Sequence, residues 1–123
     1  MTRPLRLLHI DDDDDIRAIV ALALARDPAI ILTATASASA ALEWVRAGQG
    51  FDAVLLDVTM PEMPGPALLR ALHQGDPALP AIFMTAQSRA HELVALYAAG
   101  ATGVIVKPFD PLTLVAQVRA LLP

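Results

Sequence analysis

Short apolar stretches alternate along this chain with longer segments in which apolar residues recur at helical spacing. Five of the short stretches predict strands, at residues 5–10, 30–35, 53–57, 81–84 and 103–106. The periodic segment after each stretch predicts a helix. Because strand and helix alternate without a linker or a low-complexity segment, the pattern predicts a single α/β domain over residues 1–123.

Proline, glycine and short polar residues indicate where the predicted helices begin and end. Polar side chains or prolines favour helix starts, and glycine commonly follows a last turn. The expected starts are Pro66 for helix 3, Ser88 for helix 4, and Asp110 with Pro111 for helix 5. The expected stops are Gly48, Gly75 and Gly100. Helix 5 is expected to contain Leu112, Val115, Val118 and Leu122.

The predicted strands are apolar over most of their length, which is typical of a parallel sheet covered by helices on both faces. Right-handed crossovers then place every strand-to-helix loop along one edge of the sheet. In open sheets of this kind, ligands bind outside the carboxyl ends of the strands, where the winding direction changes. The pattern therefore predicts a doubly wound sheet of five parallel strands with its site at that edge.

Chemically active side chains follow four of the predicted strands. Asp11 and Asp12 follow the first, Asp57 ends the third, Thr85 follows the fourth and Lys107 follows the fifth. Two carboxylates about 4 Å apart repel by roughly 4 kcal/mol at an intermediate dielectric. Clustered carboxylates would therefore raise one another's pKa values unless a cation were present. Hard carboxylate oxygens suit Mg²⁺, so the pattern predicts a magnesium site.

The same grouping predicts phosphoryl chemistry. A carboxylate held beside a divalent cation and a lysine can attack phosphorus and become an acyl phosphate. The cation, the Lys107 ammonium and the Thr85 hydroxyl would then bind phosphoryl oxygens, where charge is spread in the transition state. Lys107 is the only lysine among nine basic residues, and a compact ammonium differs from a guanidinium in phosphate binding.

Some of these residues also allow simpler interpretations. Asp14 and Asp15 fit a solvated helix start, where the helix dipole favours acidic side chains. The run of five aspartates leaves open whether Asp13 replaces Asp11 in the acid pair. The three histidines show no ligand or triad spacing and are interpreted as structural or surface residues; they are His9, His73 and His91.

Composition excludes several kinds of function. The net charge of −4 and the pI near 5.1 argue against direct contact with nucleic acid, which needs a basic patch. The chain has no cysteine, so a disulfide or a thiolate metal site is excluded. The N-terminal apolar stretch is short and quickly followed by aspartates, unlike a signal peptide, and no segment is long enough to enter a membrane. We therefore expect a cytoplasmic protein.

Over residues 5–122 the chain resembles the receiver domains of two-component response regulators, of the chemotaxis type without an output domain. Each matching motif is weak alone, but together, in order and on the expected elements, they are specific. The motifs are Asp-Asp-Asp-x-Asp-Ile-Arg at 11–17, Leu-Leu-Asp-x-x-Met-Pro-x-Met-x-Gly at 55–65, Met-Thr-Ala at 84–86, Gly-Ala-x-Gly at 100–103 and Lys-Pro-Phe at 107–109.

The resemblance implies a flavodoxin-like sheet with strand order 2-1-3-4-5 and five helices, and a role for each site residue. Asp57 would be the phosphoacceptor. Asp11, Asp12, Asp57 and the main-chain carbonyl of Thr59 would hold Mg²⁺. Thr85 would be the switch hydroxyl and Lys107 the phosphate-sensing ammonium, with a cis peptide before Pro108.

The resemblance also implies partners. The phosphoryl donor would be a sensor histidine kinase or a histidine phosphotransfer protein. A downstream protein would bind the face formed by helix 4, strand 5 and helix 5. We expect a phosphoacceptor that at most catalyses its own phosphorylation and dephosphorylation.

Four positions depart from the family pattern. Val104 stands where many relatives carry an aromatic side chain that swings inward, so we expect loop movement to carry the switch. Pro64 replaces a frequent aspartate and stiffens its loop. Thr59 and Gln87, which would flank an attacking water, are not acidic, and this should affect the lifetime of the phosphate.

Other function classes fit the residues less well. A phosphomonoester hydrolase would need a second catalytic acid, and the position two residues after Asp57 is Thr59. A protein-interaction module that works without phosphorylation would not need the intact acid site. A phosphorelay intermediate would use the same residues as a switch. The sequence therefore favours a phosphorylation-dependent signalling switch, with the phosphorelay intermediate left open as an alternative.

Overall fold

The computed structural model describes residues 3–86 and 89–123, which form five strands and five helices. The strands are β1 Leu5–Ile10, β2 Ile30–Thr35, β3 Ala53–Asp57, β4 Ala81–Thr85 and β5 Gly103–Val106. The helices are α1 Asp14–Leu24, α2 Ala38–Arg46, α3 Gly65–Gly75, α4 Ala90–Ala98 and α5 Leu114–Leu121. Within these described ranges, no helix is long and apolar enough to span a bilayer.

The five strands form one parallel sheet in the order β2-β1-β3-β4-β5. The chain winds outward from β1 to β2 on one side and from β1 through β3 to β5 on the other. The winding direction therefore changes between β1 and β3, and a crevice lies at the carboxyl ends of these two strands. The predicted flavodoxin-like, doubly wound fold is confirmed.

Helices cover both faces of the sheet because side chains of successive strand residues point in opposite directions. On one face, Leu7 and the strand residues that point the same way pack against buried residues of α1 and α5. These helix residues are Val20, Ala23, Leu24, Leu114 and Val118. On the other face, Leu8 and its equivalents pack against α2, α3 and α4 through Ala38, Ala41, Val45, Leu68, Leu69, Leu72 and Leu96. Each fully buried leucine stabilises the fold by about 1.5–3 kcal/mol.

Most predicted helix and strand ends lie within one or two residues of those observed. β4 includes Thr85, one residue beyond the predicted end. Pro66 is the second residue of α3. Gly75 is the last residue of this helix, whereas the prediction placed it just after the helix end. Gly48 and Gly100 follow α2 and α4 with positive φ angles, as predicted for helix stops. Ser88, the predicted start of helix 4, lies outside the described residues, and so does Gln87.

The predicted start of helix 5 was wrong. The Asp110 carboxylate accepts the N–H of Leu112, and its carbonyl accepts the N–H of Thr113. These bonds to the second and third following residues close a tight turn, whereas an α-helix needs bonds to the fourth. The helix begins only at Leu114, so Leu112 precedes it and is exposed. Leu122 follows the last turn in an extended conformation and also lies outside the helix.

Gly65 allows α3 to begin directly against the strand that carries Asp57. Its N–H donates to the Val58 carbonyl over 2.7 Å. A Cβ atom at this position would lie 2.3 Å from the Asp57 carbonyl oxygen and 2.9 Å from the Val58 Cα. Both atoms belong to the backbone and cannot rotate away. Only glycine therefore permits this close approach.

We expect Gly65→Ala to lower the free energy of unfolding by about 1–3 kcal/mol, because the new methyl group displaces backbone in a packed region. Gly50→Ala is the matched control, since a Cβ there meets nothing within 4 Å. Urea denaturation of the two variants measures the difference. Equal stability of the two alanine variants would contradict the close approach at Gly65.

Candidate functional site

Three carboxylates meet at the carboxyl ends of β1 and β3. Each of Asp11, Asp12 and Asp57 offers one oxygen, and these oxygens all lie within 4.8 Å of one another. Asp11 is fully buried, Asp57 is half-buried and Asp12 is exposed. The cluster therefore reaches from the core to solvent. Its all-oxygen donor set fits a hard divalent cation such as Mg²⁺, which keeps part of its water shell on the exposed side.

Lys107 brings one positive charge to this cluster. Its Nζ lies 3.4 Å from Asp11 Oδ2 and 3.5 Å from Asp57 Oδ1. The ammonium thus contacts both a buried and a half-buried carboxylate. The Lys107 N–H donates to the Thr85 carbonyl over 2.6 Å, and the peptide bond to Pro108 is cis, as the family resemblance implied.

The two threonines of the predicted site occupy different environments. Thr85 is buried at the end of β4, opposite Val106 of β5. Thr59 is exposed in the loop after β3, and its backbone forms a hydrogen bond with the Asp57 carboxylate. The structure thus brings four predicted residues into direct proximity, namely Asp11, Asp12, Asp57 and Lys107. The roles of the Thr59 carbonyl and the Thr85 hydroxyl stay predictions.

Burial raises the pKa of the Asp57 carboxyl above its ordinary value. The negative charge of Asp11 acts in the same direction, while the charge and hydrogen bond of Lys107 and the Thr59 backbone partly oppose it. Ionised Asp57 is therefore held in a place that disfavours its charge. Such a carboxylate gains stability from any cation that enters the cluster.

Two other aspartates of the run form contacts of their own. Asp13 is the N-cap of α1, and its carboxylate accepts the N–H groups of Asp15 and Ile16. Asp14 pairs with Arg17. Helix capping thus removes Asp13 from the cluster and leaves Asp11 and Asp12 as the acid pair that faces Asp57.

Two contacts fix Asp11 itself. The Asp13 N–H donates to Asp11 Oδ1 over 2.9 Å. The Arg17 guanidinium donates to the Asp11 backbone carbonyl over 2.8 Å. One carboxylate oxygen is therefore held by the start of α1, while Oδ2 faces Lys107.

His9 is a residue of this site that the sequence interpretation missed. It is fully buried, and neither ring nitrogen has a hydrogen-bond partner among the described residues. Burial lowers the pKa of its imidazole to about 4, against the opposing charge of Asp11, so the ring is neutral at pH 7. A buried polar group without a partner costs about 1–3 kcal/mol of stability. The sequence did contain a signal for placing His9 near the site. His9 interrupts an apolar strand two residues before Asp11, and residues two apart in a strand point to the same face of the sheet.

Glu62 is a second contact that sequence reasoning did not find. Its carboxylate accepts the Ala38 N–H over 2.9 Å and the Ser39 hydroxyl over 3.1 Å. A negative charge at the start of a helix is favoured by the helix dipole. Glu62 therefore ties the loop that follows Asp57 to the start of α2. The partners are 24 and 23 residues apart in sequence, too far for a local motif to reveal them.

Comparison with known proteins gives one consistent answer. The family described as response regulator receiver domain matches residues 7–119. The transcriptional regulatory protein CseB of Streptomyces avermitilis is 36% identical over 122 residues, which cover 99% of this chain and 51% of that protein. The DNA-binding transcriptional regulator NtrC of Escherichia coli is 39% identical over 101 residues, covering 82% of this chain and 21% of NtrC. The chain thus spans about half the length of the CseB proteins it matches.

Solved structures agree with the family match. The chemotaxis response regulator CheY4 of Vibrio cholerae superposes with a TM-score of 0.84 at 30% identity, covering 98% of this chain and 100% of that chain. A response regulator from Chloroflexus aurantiacus superposes with a TM-score of 0.84 at 31% identity, covering 97% and 98%. Both similarities extend over nearly the whole described fold.

We expect Asp57→Asn to raise the free energy of unfolding at pH 7 in the absence of divalent cations. A carboxyl whose pKa is raised by folding stabilises the fold at low pH and loses that contribution as pH rises through its folded pKa. The amide removes the unfavourable charge. The advantage over the unsubstituted protein should therefore shrink as pH falls toward the ordinary aspartate value of 3.8.

The control for loss of one negative charge is Asp15→Asn, at an exposed position in the first turn of α1. Urea denaturation at several pH values, with a chelator present, measures both variants. Lower stability of Asp57→Asn than of Asp15→Asn at pH 7 would contradict the unfavourable charge at Asp57.

Proposed function

The chain belongs to the family of response regulator receiver domains, and we propose that it is a signalling switch that accepts a phosphoryl group on Asp57. The observation that carries this proposal is the meeting of Asp57 with the Asp11–Asp12 pair and Lys107 at one edge of the sheet. Receiver domains are signalling phosphoacceptors and differ from classical enzymes.

The proposed reaction transfers a phosphoryl group from a phosphohistidine of a sensor kinase or phosphotransfer protein. An Asp57 carboxylate oxygen forms a bond to phosphorus while the phosphorus–nitrogen bond of the donor breaks. The electron pair of that bond stays on the donor imidazole. Asp57 becomes an acyl phosphate, and later attack by water at phosphorus returns the carboxylate and releases inorganic phosphate.

Each neighbouring residue has a defined task in this proposal. Asp11, Asp12 and Asp57, with the Thr59 carbonyl, would hold Mg²⁺, which when bound neutralises charge on the phosphoryl oxygens. The Lys107 ammonium, 3.5 Å from Asp57 Oδ1, needs only a small movement to pair with a phosphoryl oxygen. The Thr85 hydroxyl donates to another phosphoryl oxygen.

An apolar cavity of about 360 Å³ adjoins Lys107 and supports the docking of a protein donor. It lies between α1 and the loop after β5, and it is lined by Ile16, Ile19, Ala86, Lys107, Pro108, Phe109 and Pro111. A donor that delivers a phosphoryl group to Asp57 must approach this edge of the sheet. Apolar side chains beside the reactive group offer it area to bury.

The signal leaves through the face formed by α4, β5 and α5. Val94, Tyr97 and Val106 of this face expose 66%, 49% and 40% of their area. Val104 is half-buried there. Because the loops after β4 and β5 carry Thr85 and Lys107, movement of these residues toward phosphate displaces the segments that lead into α4 and α5.

Output by this domain is therefore proposed to pass through a protein contact in the cytoplasm. Its acidic charge disfavours direct binding to nucleic acid.

We expect the protein to take up one phosphoryl group from acetyl phosphate in the presence of Mg²⁺. Intact-mass spectrometry should show one added phosphoryl group, and a chelator should abolish it. Asp57→Asn should lose the modification, whereas Asp15→Asn, with an equal change of charge, should keep it. Undiminished modification of Asp57→Asn would overturn the proposal.

We expect the phosphorylated protein to show amide chemical-shift changes in α4, β5 and α5 as well as in the loop after Asp57. In Thr85→Ala the changes on this face should be mostly lost when normalised to the phosphorylated fraction, because the hydroxyl that links phosphate to the loop before α4 is missing. Thr33→Ala, in the edge strand β2, is the control. Changes confined to the Asp57 loop in the unsubstituted protein would contradict this output face.

A further inference from the structure

His9 lies beneath the acid cluster, on the side opposite solvent. Its side chain shares a sheet face with Asp11, two residues later in the chain. The adjacent strands place Ala34 and Leu55 beside it. Among the described residues, Asp11 is the one acidic group within ion-pair distance, with His9 Nε2 4.0 Å from Asp11 Oδ2. A fully buried imidazole thus faces the buried oxygen of a cluster carboxylate.

The two oxygens of Asp11 differ in the donors available to them. Oδ1 accepts the Asp13 N–H over 2.9 Å. Oδ2 has the Lys107 ammonium 3.4 Å away on the exposed side and the His9 imidazole on the buried side. Lys107 also contacts Asp57, so a phosphoryl group there would draw the ammonium away from Asp11. In the described part of the chain, His9 is then the donor that stays beside Oδ2.

A neutral donor suits this position better than a cationic one. A positive group behind Asp11 would cancel part of the charge that attracts a divalent cation. A neutral N–H holds the carboxylate in place and leaves its charge intact. Outer partners of this kind orient metal ligands in proteins, and their loss typically weakens metal binding by 10–100-fold.

We propose that His9 is a positioning residue whose Nε2–H donates to Asp11 Oδ2 and holds this carboxylate for cation binding. The bond forms when the separation shortens by about 1 Å, to the ordinary N–H···O distance. The inference rests on the proposed function, since it assigns Asp11 to the cation site, and it adds the residue that orients this ligand.

The test compares His9→Leu with His9→Gln. The glutamine Nε2 group can replace the imidazole donor, whereas leucine fills the space without one. Calorimetric titration with Mg²⁺ should show about tenfold or greater loss of affinity for His9→Leu. His9→Gln should stay within about threefold of the unsubstituted protein.

Thermal unfolding without metal separates positioning from a purely structural role. His9→Leu should unfold in one cooperative transition at a temperature close to that of the unsubstituted protein, because leucine fills the same buried space and removes the desolvation cost of the imidazole. Weaker Mg²⁺ binding together with a nearly unchanged unfolding temperature supports the proposal. Unchanged Mg²⁺ affinity in His9→Leu overturns it, and so does affinity lost equally in both variants.

A second measurement needs neither metal nor phosphate. Nitrogen-15 spectra of the His9 ring should show the Nε2–H tautomer. In Lys107→Ala, where the competing ammonium is gone, the Nε2–H proton should exchange more slowly with solvent and shift to lower field. The Nδ1–H tautomer would overturn the proposal. Failure of Asp57 to take up phosphate would count against the proposed function. The ring tautomer and the Mg²⁺ affinities test the role of His9 independently of that result.

Discussion

Repulsion among three carboxylates at the meeting of β1 and β3 is the interaction on which the rest of this site depends. Asp11, Asp12 and Asp57 offer oxygens within 4.8 Å of one another. Two such charges about 4 Å apart repel by roughly 4 kcal/mol at an intermediate dielectric, and solvent weakens the repulsion from the exposed Asp12. Lys107 offsets part of this energy through its contacts with Asp11 and Asp57. Burial is the main cause of the raised pKa of Asp57; the Lys107 charge opposes it, and the Asp11 charge adds to it by a smaller amount. Ionised Asp57 therefore stays unfavourable, and we expect the cluster to respond to an added cation or phosphoryl group.

The fold keeps the charges together because they occupy the ends of buried strands. β1 and β3 are neighbours in the centre of the sheet, and their apolar residues are packed on both faces. Beyond Asp57, the close approach of Gly65 and the contact of Glu62 with the start of α2 limit movement of the loop. The carboxylates cannot separate without disturbing the core. We therefore expect a change of charge at Asp57 to be followed by movement of Lys107 and of the loop that carries it.

Much of this arrangement could be predicted because it follows from hydrophobic patterning and topology. Strands that are apolar over most of their length indicate a parallel sheet, and a parallel sheet brings Asp11, Asp57 and Lys107 to one edge. The role of an individual aspartate near a helix start was harder to predict. Asp110 was expected to cap helix 5, but it closes a tight turn before the helix. The run of five aspartates was ambiguous until capping by Asp13 identified the acid pair. Glu62 acts through a contact between distant segments, which composition and spacing do not describe. The spacing of His9 from Asp11 places both residues on one face of β1, but it does not describe how deeply the imidazole is buried.

The most direct measurement is the free energy of unfolding as a function of Mg²⁺ concentration at constant ionic strength. If the carboxylates form one cation site held by the fold, stability should rise by about 1.4 kcal/mol for each tenfold increase above the dissociation constant. Asp12→Ala should shift this rise to higher Mg²⁺ concentrations. A stability that does not respond to Mg²⁺ beyond the effect of potassium chloride at matched ionic strength would contradict the account.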